Sequence, residues 1–142
     1  MVCAGNSCSS EQAMDQSFLQ TNVFAQLSKF NNSIWKKLEN RVRKLVDDYE
    51  LVQVFTGPAF KPIKEKDGTE WIKYRLTREN GTAIPTHFFK VIYAHNRGKT
   101  QGMAYLVPHE NIGTETEPEV YLVTIENVQR ITGIQFDMWR NL

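Results

Sequence analysis

The apolar positions in the first third of the chain recur with the period of an α-helix. From Asn31 to Tyr49 they follow one another at steps of three and four residues, which places them on one side of a helix. These positions are Ile34, Trp35, Leu38, Val42, Leu45, Val46 and Tyr49. Asn31, Asn32 and Ser33 open the pattern, and all three are good capping residues. The pattern predicts an amphipathic helix of four turns or more.

A shorter helix is predicted upstream. Ser9 and Gln12 have the spacing of a capping box, which opens a helix that runs to about Phe18. A mixed polar and apolar stretch, Leu19 to Gln26, follows it.

Beyond Tyr49 the pattern changes to one typical of β-strands. Leu51 to Thr56 is a short apolar, β-branched run that Gly57-Pro58 ends, so we predict a buried strand that enters a loop there. Further strands are predicted over residues 70–76, 83–94, 103–107 and 120–123, with turns at Asp67-Gly68 and Asn80-Gly81. A last helix over residues 125–132 has Thr124 as its cap and Gly133 at its end. The predicted fold class is α+β with a largely antiparallel sheet.

The composition is that of one ordinary globular domain. The chain has 142 residues, a net charge of +1, and 41% hydrophobic against 23% charged residues, which argues against a disordered chain. No apolar run approaches the roughly 20 residues of a membrane span. The N-terminus has neither a basic nor an apolar targeting region. A zinc site at Cys3 and Cys8 is not expected, because the chain lacks the required cysteine and histidine spacing. Two cysteines are far too few for a disulfide scaffold, so ordinary thiols are favoured, with a local disulfide as the alternative.

Charge is balanced in total but uneven along the chain. Residues 36–44 contain five cations and one anion, whereas residues 110–126 contain five glutamates and no cation. Composition alone favours the solvated face of an amphipathic helix as the explanation of the basic run. The functional alternative is an edge that faces phosphate, with Lys36, Arg43 and Lys44 in contact with nucleic acid.

Polar residues also recur at regular spacing in and before the predicted long helix. Asn31, Glu39 and Arg43, with Trp35 between them, occupy i, i+4 positions, so an amide, a carboxylate and a guanidinium lie along one side of the helix. Asn22 precedes Asn31 by nine residues. Local chemistry allows a simpler interpretation, in which Asn31 caps the helix while Glu39 and Arg43 form an intrahelical pair.

Five segments, in order, carry a resemblance to a known family. They are VCAGN at 2–6, AMDQSFLQTN at 13–22, the Asn-Trp-Leu-Glu spacing of 22–39, FTGPAF at 55–60 and AIPTHFFKV at 83–91. The chain resembles the DNA/RNA non-specific endonucleases with a ββα-metal (His-Me finger) active site, in particular their mitochondrial endonuclease G and exonuclease/endonuclease-like branch. The resemblance implies a ββα-metal nuclease fold, sugar-non-specific hydrolysis of DNA and RNA, a mitochondrial location and a homodimer.

The resemblance also implies a role for each residue of the spacing. Asn31 is expected to bind a catalytic Mg²⁺ (or Mn²⁺) through its amide oxygen, which suits a hard cation that keeps most of its waters. Because a helix N-terminus repels cations, the metal is expected to bind well only together with phosphate. Asn22 is expected to support the active-site loop, Glu39 to orient water on the metal, and Arg43 to hold phosphate.

The general base of the family is a histidine that this chain is expected to lack. That histidine ends an Asp-Arg-Gly-His motif, which in family sequences directly precedes the residues that match Met1 onward. We therefore expect residues 1–142 to form one partial domain without the strands before it, and to be inactive or nearly so, because base removal costs a factor of about 10²–10⁴. His87 is interpreted as a hydrogen-bonded core residue, and His95 and His109 as exposed loop residues. The alternative function is a catalytically inactive paralogue that binds nucleic acid or a nuclease partner.

Overall fold

The computed structural model describes residues 30–137, so the helix predicted over residues 9–18, the stretch 19–26 and Asn22 lie outside the described residues. The long helix predicted from the apolar period is present. It begins with a π-helical turn, Asn31–Trp35, and continues as the α-helix α1, Lys36–Asp48. Phe30 already has helical dihedral angles. Tyr49 is extended and ends the helix.

A four-stranded antiparallel sheet packs against α1. Its strands are β1 (Leu51–Ala59), β6 (His87–Asn96), β7 (Lys99–Pro108) and β8 (Leu122–Val123), in the order β1-β6-β7-β8. Two small hairpins lie between β1 and β6 in the chain: β2 (Ile63–Lys64) pairs with β3 (Glu70–Trp71), and β4 (Arg75–Leu76) pairs with β5 (Ala83–Ile84). The predicted α+β class with a largely antiparallel sheet is confirmed.

Side-chain alternation along β6 divides the core into two layers. Phe88 and Ile92 face α1, where they pack with the buried residues of the helix, while Phe89 and Val91 face the opposite side. Successive side chains of a strand point to opposite faces of the sheet, so a strand buried on both sides is apolar at odd and even positions alike. The opposite layer is covered by the helix α2, Ile125–Thr132.

The strand β1 runs further than its sequence indicates. The prediction that Gly57-Pro58 ends this strand is wrong, because pairing with β6 continues to Ala59. β1 is an edge of the four-stranded sheet, and an edge strand tolerates a proline whose missing N–H faces away from the ladder. Position 57 requires glycine for a separate, steric reason, because a Cβ there would lie 3.0 Å from the ring of Phe89.

The alternating run over residues 70–76 is not one strand. Each half pairs within its own hairpin, Trp71 with Ile63 and Arg75 with Ile84. The two predicted turns cause this split, since Gly68 (φ +89°) and Gly81 (φ +67°) both adopt the left-handed conformation that reverses a hairpin. The predicted strand over 83–94 is likewise interrupted, between β5 and β6.

The end of the described chain follows its predicted local signals. The Thr124 hydroxyl accepts a hydrogen bond from the N–H of Asn127 (3.1 Å), and Gly133 ends α2 with φ +71°. The strand predicted over residues 120–123 is only partly correct, because Pro118–Tyr121 form a 3₁₀ turn and β8 begins at Leu122. Pro118, which cannot donate to a ladder, is instead suited to the first turn of a helix.

Candidate active site

The side chain of Asn31 is exposed in the π-helical turn that follows Phe30. Its amide makes no hydrogen bond within the described part of the chain. The simpler interpretation of Asn31 as a helix cap is wrong, because Phe30 is already helical and no side-chain cap bond is formed there. For the same reason Asn31 is not the first helical residue. The turn that contains it is π-helical, a rare geometry that is found often at functional sites.

Glu39 is a buried carboxylate with an unsatisfied oxygen. Its side chain is only 4% exposed, and its Oε1 has no hydrogen-bond partner among residues 30–137. A buried polar atom without a partner costs free energy, so such atoms are rare and call for an explanation. The predicted intrahelical pair with Arg43 is not formed, since Arg43 Nη1 instead donates to Asn40 Oδ1 (2.6 Å). Glu39 therefore retains the capacity to accept a bond from a bound group.

The basic run is divided between two sides of the helix. Lys37 Nζ donates to Glu117 Oε1 (2.8 Å) and to two backbone carbonyls of loop 114–117 (2.6 and 3.0 Å). Arg41 pairs with Glu119. The hydrogen bond and charge of Lys37 lower the pKa of Glu117. The acidic segment predicted over residues 110–126 thus neutralises one side of the basic run.

The other cations remain available. Lys36, Arg43 and Lys44 are exposed and form no ion pair within residues 30–137. Lys36 and Arg43 are seven residues apart, so they lie two helical turns apart on nearly the same side. Glu39, four residues before Arg43, borders that side. The structure therefore brings the buried carboxylate and the cations of Lys36 and Arg43 to one flank of α1. Lys44, seven residues after Lys37, lies on the side of Lys37 instead.

One residue close to the site was not anticipated from the sequence. Lys90 is 1% exposed on the α1 face of β6, and its Nζ lies 4.7 Å from the ring centroid of Trp35. A cation over an aromatic ring is stabilised by the ring quadrupole, more strongly when water is excluded. Trp35 is thereby fixed between Asn31 and Glu39. The signal was a lysine in the apolar run from Phe88 to Ile92.

A groove lies beside the π-helical turn. It has a volume of about 450 Å³ and is lined by uncharged residues. These are Asn32, Ser33, Asn111, Ile112, Gly113 and Thr114. The surface of its wall is mostly apolar, so the groove adds mainly nonpolar contact area beside the turn that contains Asn31. The pairing of Lys37 with the loop that follows holds one side of the groove against the helix.

The three histidines lie in structural environments. The interpretation of His109 as an exposed loop residue is wrong. Its ring is buried, because it packs edge-on against Phe30 and Phe88 (centroids at 5.2 and 4.9 Å). Its Nδ1 bonds the carbonyl of Pro85 (3.0 Å). Burial lowers its pKa.

His87 and His95 lie on the other side of the sheet. Both share the alternation of Phe89 and Val91, so their side chains face away from α1. His87 is half-buried, and its Nδ1 bonds the Thr86 hydroxyl (2.9 Å). Burial, and secondarily the charge of Lys61, lowers the pKa of His87 to about 4. His95 is half-buried within β6 rather than in an exposed loop, which corrects that interpretation.

The exposed amide oxygen of Asn31 fits a weakly held hard cation, because it is a ligand type that Mg²⁺ accepts. The buried carboxylate of Glu39 lies eight residues further along the helix, a rise of about 12 Å, so it is not a ligand of the same ion. Residues 30–137 contain no cluster of three or more histidine, cysteine, aspartate or glutamate side chains able to bind a metal together. Within the same residues, no helix is both long and apolar enough to cross a bilayer.

The fold of residues 30–137 places the chain in the ββα-metal class. The chain belongs to the DNA/RNA non-specific endonuclease family, whose sequence profile matches residues 1–141. The α+β arrangement of helix and antiparallel sheet described above is that of the ββα-metal fold. Family and fold thus agree with the expectation drawn from the five sequence segments.

Particular relatives are similar over almost all of the chain. Human mitochondrial endonuclease G is 36% identical over 96% of this chain and 46% of its own. Nuclease C1 of Cunninghamella echinulata is 35% identical (96% and 54%), and zebrafish (Danio rerio) mitochondrial nuclease EXOG is 32% identical (96% and 40%). A chain in the crystal structure of the EndoG/EndoGI complex superposes with a TM-score of 0.89, at 36% identity over 96% of this chain and 56% of that one. The chain thus spans about half the length of the curated relatives it matches.

Proposed function

We propose that this chain takes part in sugar-non-specific hydrolysis of phosphodiester bonds in DNA and RNA, with Mg²⁺ (or Mn²⁺) bound at Asn31. The proposal depends on one observation above all. Within residues 30–137, an exposed amide that makes no hydrogen bond lies in a π-helical turn, on the same helix as a buried carboxylate whose Oε1 has no partner. Membership of a nuclease family supports a divalent metal and a nucleic-acid substrate.

Each residue of the flank has a chemical task in this proposal. The Asn31 amide oxygen holds the metal, which when bound neutralises charge on the phosphate and the leaving oxygen. Glu39 accepts hydrogen bonds near the reacting phosphate and fixes their direction, because its burial leaves it little freedom. Arg43 stabilises the charge that develops on the phosphate oxygens. Asn22, outside the described residues, is proposed to support the loop that precedes the helix.

Substrate affinity comes from the exposed cations. Lys36, Arg43 and Lys44 replace counterions along the sugar-phosphate backbone, and such contacts carry no preference for base or sugar. Lys37 and Arg41 are excluded from this task because they are paired with the acidic loop. The proposed binding surface is thus made of the cations of α1 that form no ion pair with that loop within residues 30–137.

The proton acceptor for the attacking water is proposed to lie outside residues 30–137. His87 and His95 face the wrong side of the sheet, and His109 is enclosed by two phenylalanine rings. The family resemblance assigns this task to the histidine of an Asp-Arg-Gly-His motif. We also propose a mitochondrial location and a homodimer, as expected from the resemblance; endonuclease G and EXOG are both named mitochondrial.

The metal assignment is tested by calorimetry. The full chain is titrated with Mg²⁺ in the presence of a phosphorothioate oligonucleotide that resists cleavage. Asn31→Ala is expected to abolish the metal-binding signal, whereas Asn32→Ala, an exposed asparagine in the same turn, is expected to preserve it. Equal binding by both variants would refute the assignment.

Catalysis is tested by plasmid nicking. Residues 1–142 are compared with a fusion that adds the Asp-Arg-Gly-His segment of a relative before Met1. Each protein is tested with and without Asn31→Ala. Mg²⁺-dependent nicking is expected from the fusion and its loss from the Asn31→Ala fusion. A fusion that binds oligonucleotide and metal but never cuts would favour the alternative, a binding protein without nuclease activity.

A further inference from the structure

The hairpin segment, residues 60–86 between β1 and β6, carries an exposed apolar surface. Five of its large apolar side chains are about half exposed: Ile63, Trp71, Ile72, Tyr74 and Leu76, at 50–57%. Tyr74 packs edge-on against Phe60 (centroids at 5.2 Å), which fixes its ring while half of it faces solvent. Single exposed apolar residues are ordinary, but a cluster of this kind marks an interaction surface.

The same segment is rich in free cations. Its cations are Lys61, Lys64, Lys66, Lys73, Arg75 and Arg78, against four carboxylates. None of the six forms an ion pair within residues 30–137, in contrast to Lys37 and Arg41. Residues 71–75 contain two aromatic rings, Trp71 and Tyr74, and two cations, Lys73 and Arg75. Strands of nucleic acid are bound by surfaces that combine these two features, because bases stack on the rings while the cations follow the phosphates.

A chain of direct contacts links this segment to the candidate active site. Arg75 lies opposite Ile84 in the β4–β5 pair, and the next residue, Pro85, accepts a hydrogen bond from the His109 ring (3.0 Å). His109 packs edge-on against Phe30, the residue before Asn31. The positive charge of Arg75 also contributes to the lowered pKa of His109. The hairpin segment therefore begins at the same end of the sheet as the proposed metal residue.

We propose that Trp71, Tyr74 and Arg75 form a second contact surface for a single-stranded stretch of nucleic acid next to the bond that is cleaved. Bases stack on the exposed faces of Trp71 and Tyr74, and Arg75, the residue after Tyr74, binds phosphate. The inference rests on the proposed function, since it supposes that nucleic acid passes the Asn31 end of α1. The surface offers stacking to any base, so it adds affinity without sequence preference.

Fluorescence anisotropy with a labelled single-stranded phosphorothioate oligonucleotide tests the inference on the full chain. The double variant Trp71→Ala/Tyr74→Ala is expected to weaken binding about tenfold or more, and to affect a duplex of the same sequence much less. Arg75→Ala is expected to lower the slope of log Kd against log salt by about 0.7. Matched controls are Leu122→Ala, a half-exposed residue on β8, and Lys99→Ala at the opposite end of the sheet.

Each outcome separates the inference from the proposed function. Unchanged affinity in the double variant, with binding still weakened by Arg43→Ala, overturns the inference and leaves the proposed function standing. A wild-type chain that binds no oligonucleotide overturns both. Sedimentation identifies a third result: a change of oligomeric state at unchanged affinity would assign the apolar surface to a second copy of the chain and overturn the inference. Circular dichroism confirms that the variants are folded.

Discussion

Replacement of Glu39 by glutamine is expected to stabilise the protein when no metal is bound. The wild-type carboxylate is 4% exposed, and its Oε1 has no partner, so folding removes a charged oxygen from water without compensation. Glutamine keeps the shape and removes the charge. The desolvation penalty of an unsatisfied buried group is about 1–3 kcal/mol, and more for a charged one. Glutamine still leaves one buried polar atom without a partner, so the expected gain in the free energy of unfolding is the excess of the charged over the neutral penalty, about 1–3 kcal/mol.

This gain is large enough to measure by thermal unfolding. For a domain of this size, 1 kcal/mol corresponds to a Tm change of about 4 °C, so Glu39→Gln should raise Tm by about 4–12 °C in EDTA. Glu79→Gln is the matched control, because Glu79 is exposed in a hairpin turn and its charge is already solvated. Its Tm should remain within about 2 °C of wild type.

Bound ligand should reverse the higher stability expected for Glu39→Gln in EDTA. Ligands that bind only the folded state stabilise it in proportion to the logarithm of their concentration over Kd. With Mg²⁺ and a phosphorothioate oligonucleotide, the wild-type Tm should rise further than that of Glu39→Gln. A Tm for Glu39→Gln below that of wild type in EDTA would refute the argument that burial of the Glu39 carboxylate destabilises the fold. An equal ligand-induced rise in both proteins would refute its role in binding.

Three further predictions concern the scaffold around the site. His87→Gln should flatten the pH dependence of stability. The pKa of His87 is lowered to about 4 in the folded protein, so folding favours the neutral ring. The wild type is therefore fully stabilised above the unfolded pKa of about 6.5 and loses stability as pH falls towards 4. Urea unfolding should show a wild-type loss of about 1–2 kcal/mol from this group between pH 7.5 and 4.5, discounted for its partial exposure, and an undiminished loss in the variant would contradict the pKa. Thr124→Ala should lower stability by about 1 kcal/mol through loss of the cap on α2, and a variant as stable as wild type in urea would show that the cap is not needed. Gly57→Val should cost about 1–3 kcal/mol because its side chain meets the Phe89 ring, with relief in the double variant Gly57→Val/Phe89→Leu as the sign that the clash is the cause.

Features that depend only on residues close together in the chain could be predicted from the sequence alone. The period of apolar positions specified α1, and Thr124 and Gly133 specified both ends of α2. Gly68 and Gly81 marked both hairpin turns, because only glycine adopts a positive φ without strain. Such signals act within a few residues, so no knowledge of the rest of the fold is needed to interpret them.

Features that join distant parts of the chain were decided only by the tertiary structure. Lys37 and Glu117 are 80 residues apart, and no local signal indicates that the acidic loop neutralises one side of the basic run. Nor does any local signal indicate that Arg43 forms no ion pair within residues 30–137. The same holds for His109, whose burial depends on Phe30 and Phe88 arriving from two other elements. The unsatisfied oxygen of Glu39 is a third case, since a polar residue on a helix is buried only when another element covers it. Long-range packing determines which charges are solvated, paired or isolated, and in this protein that distribution of charge defines the candidate site.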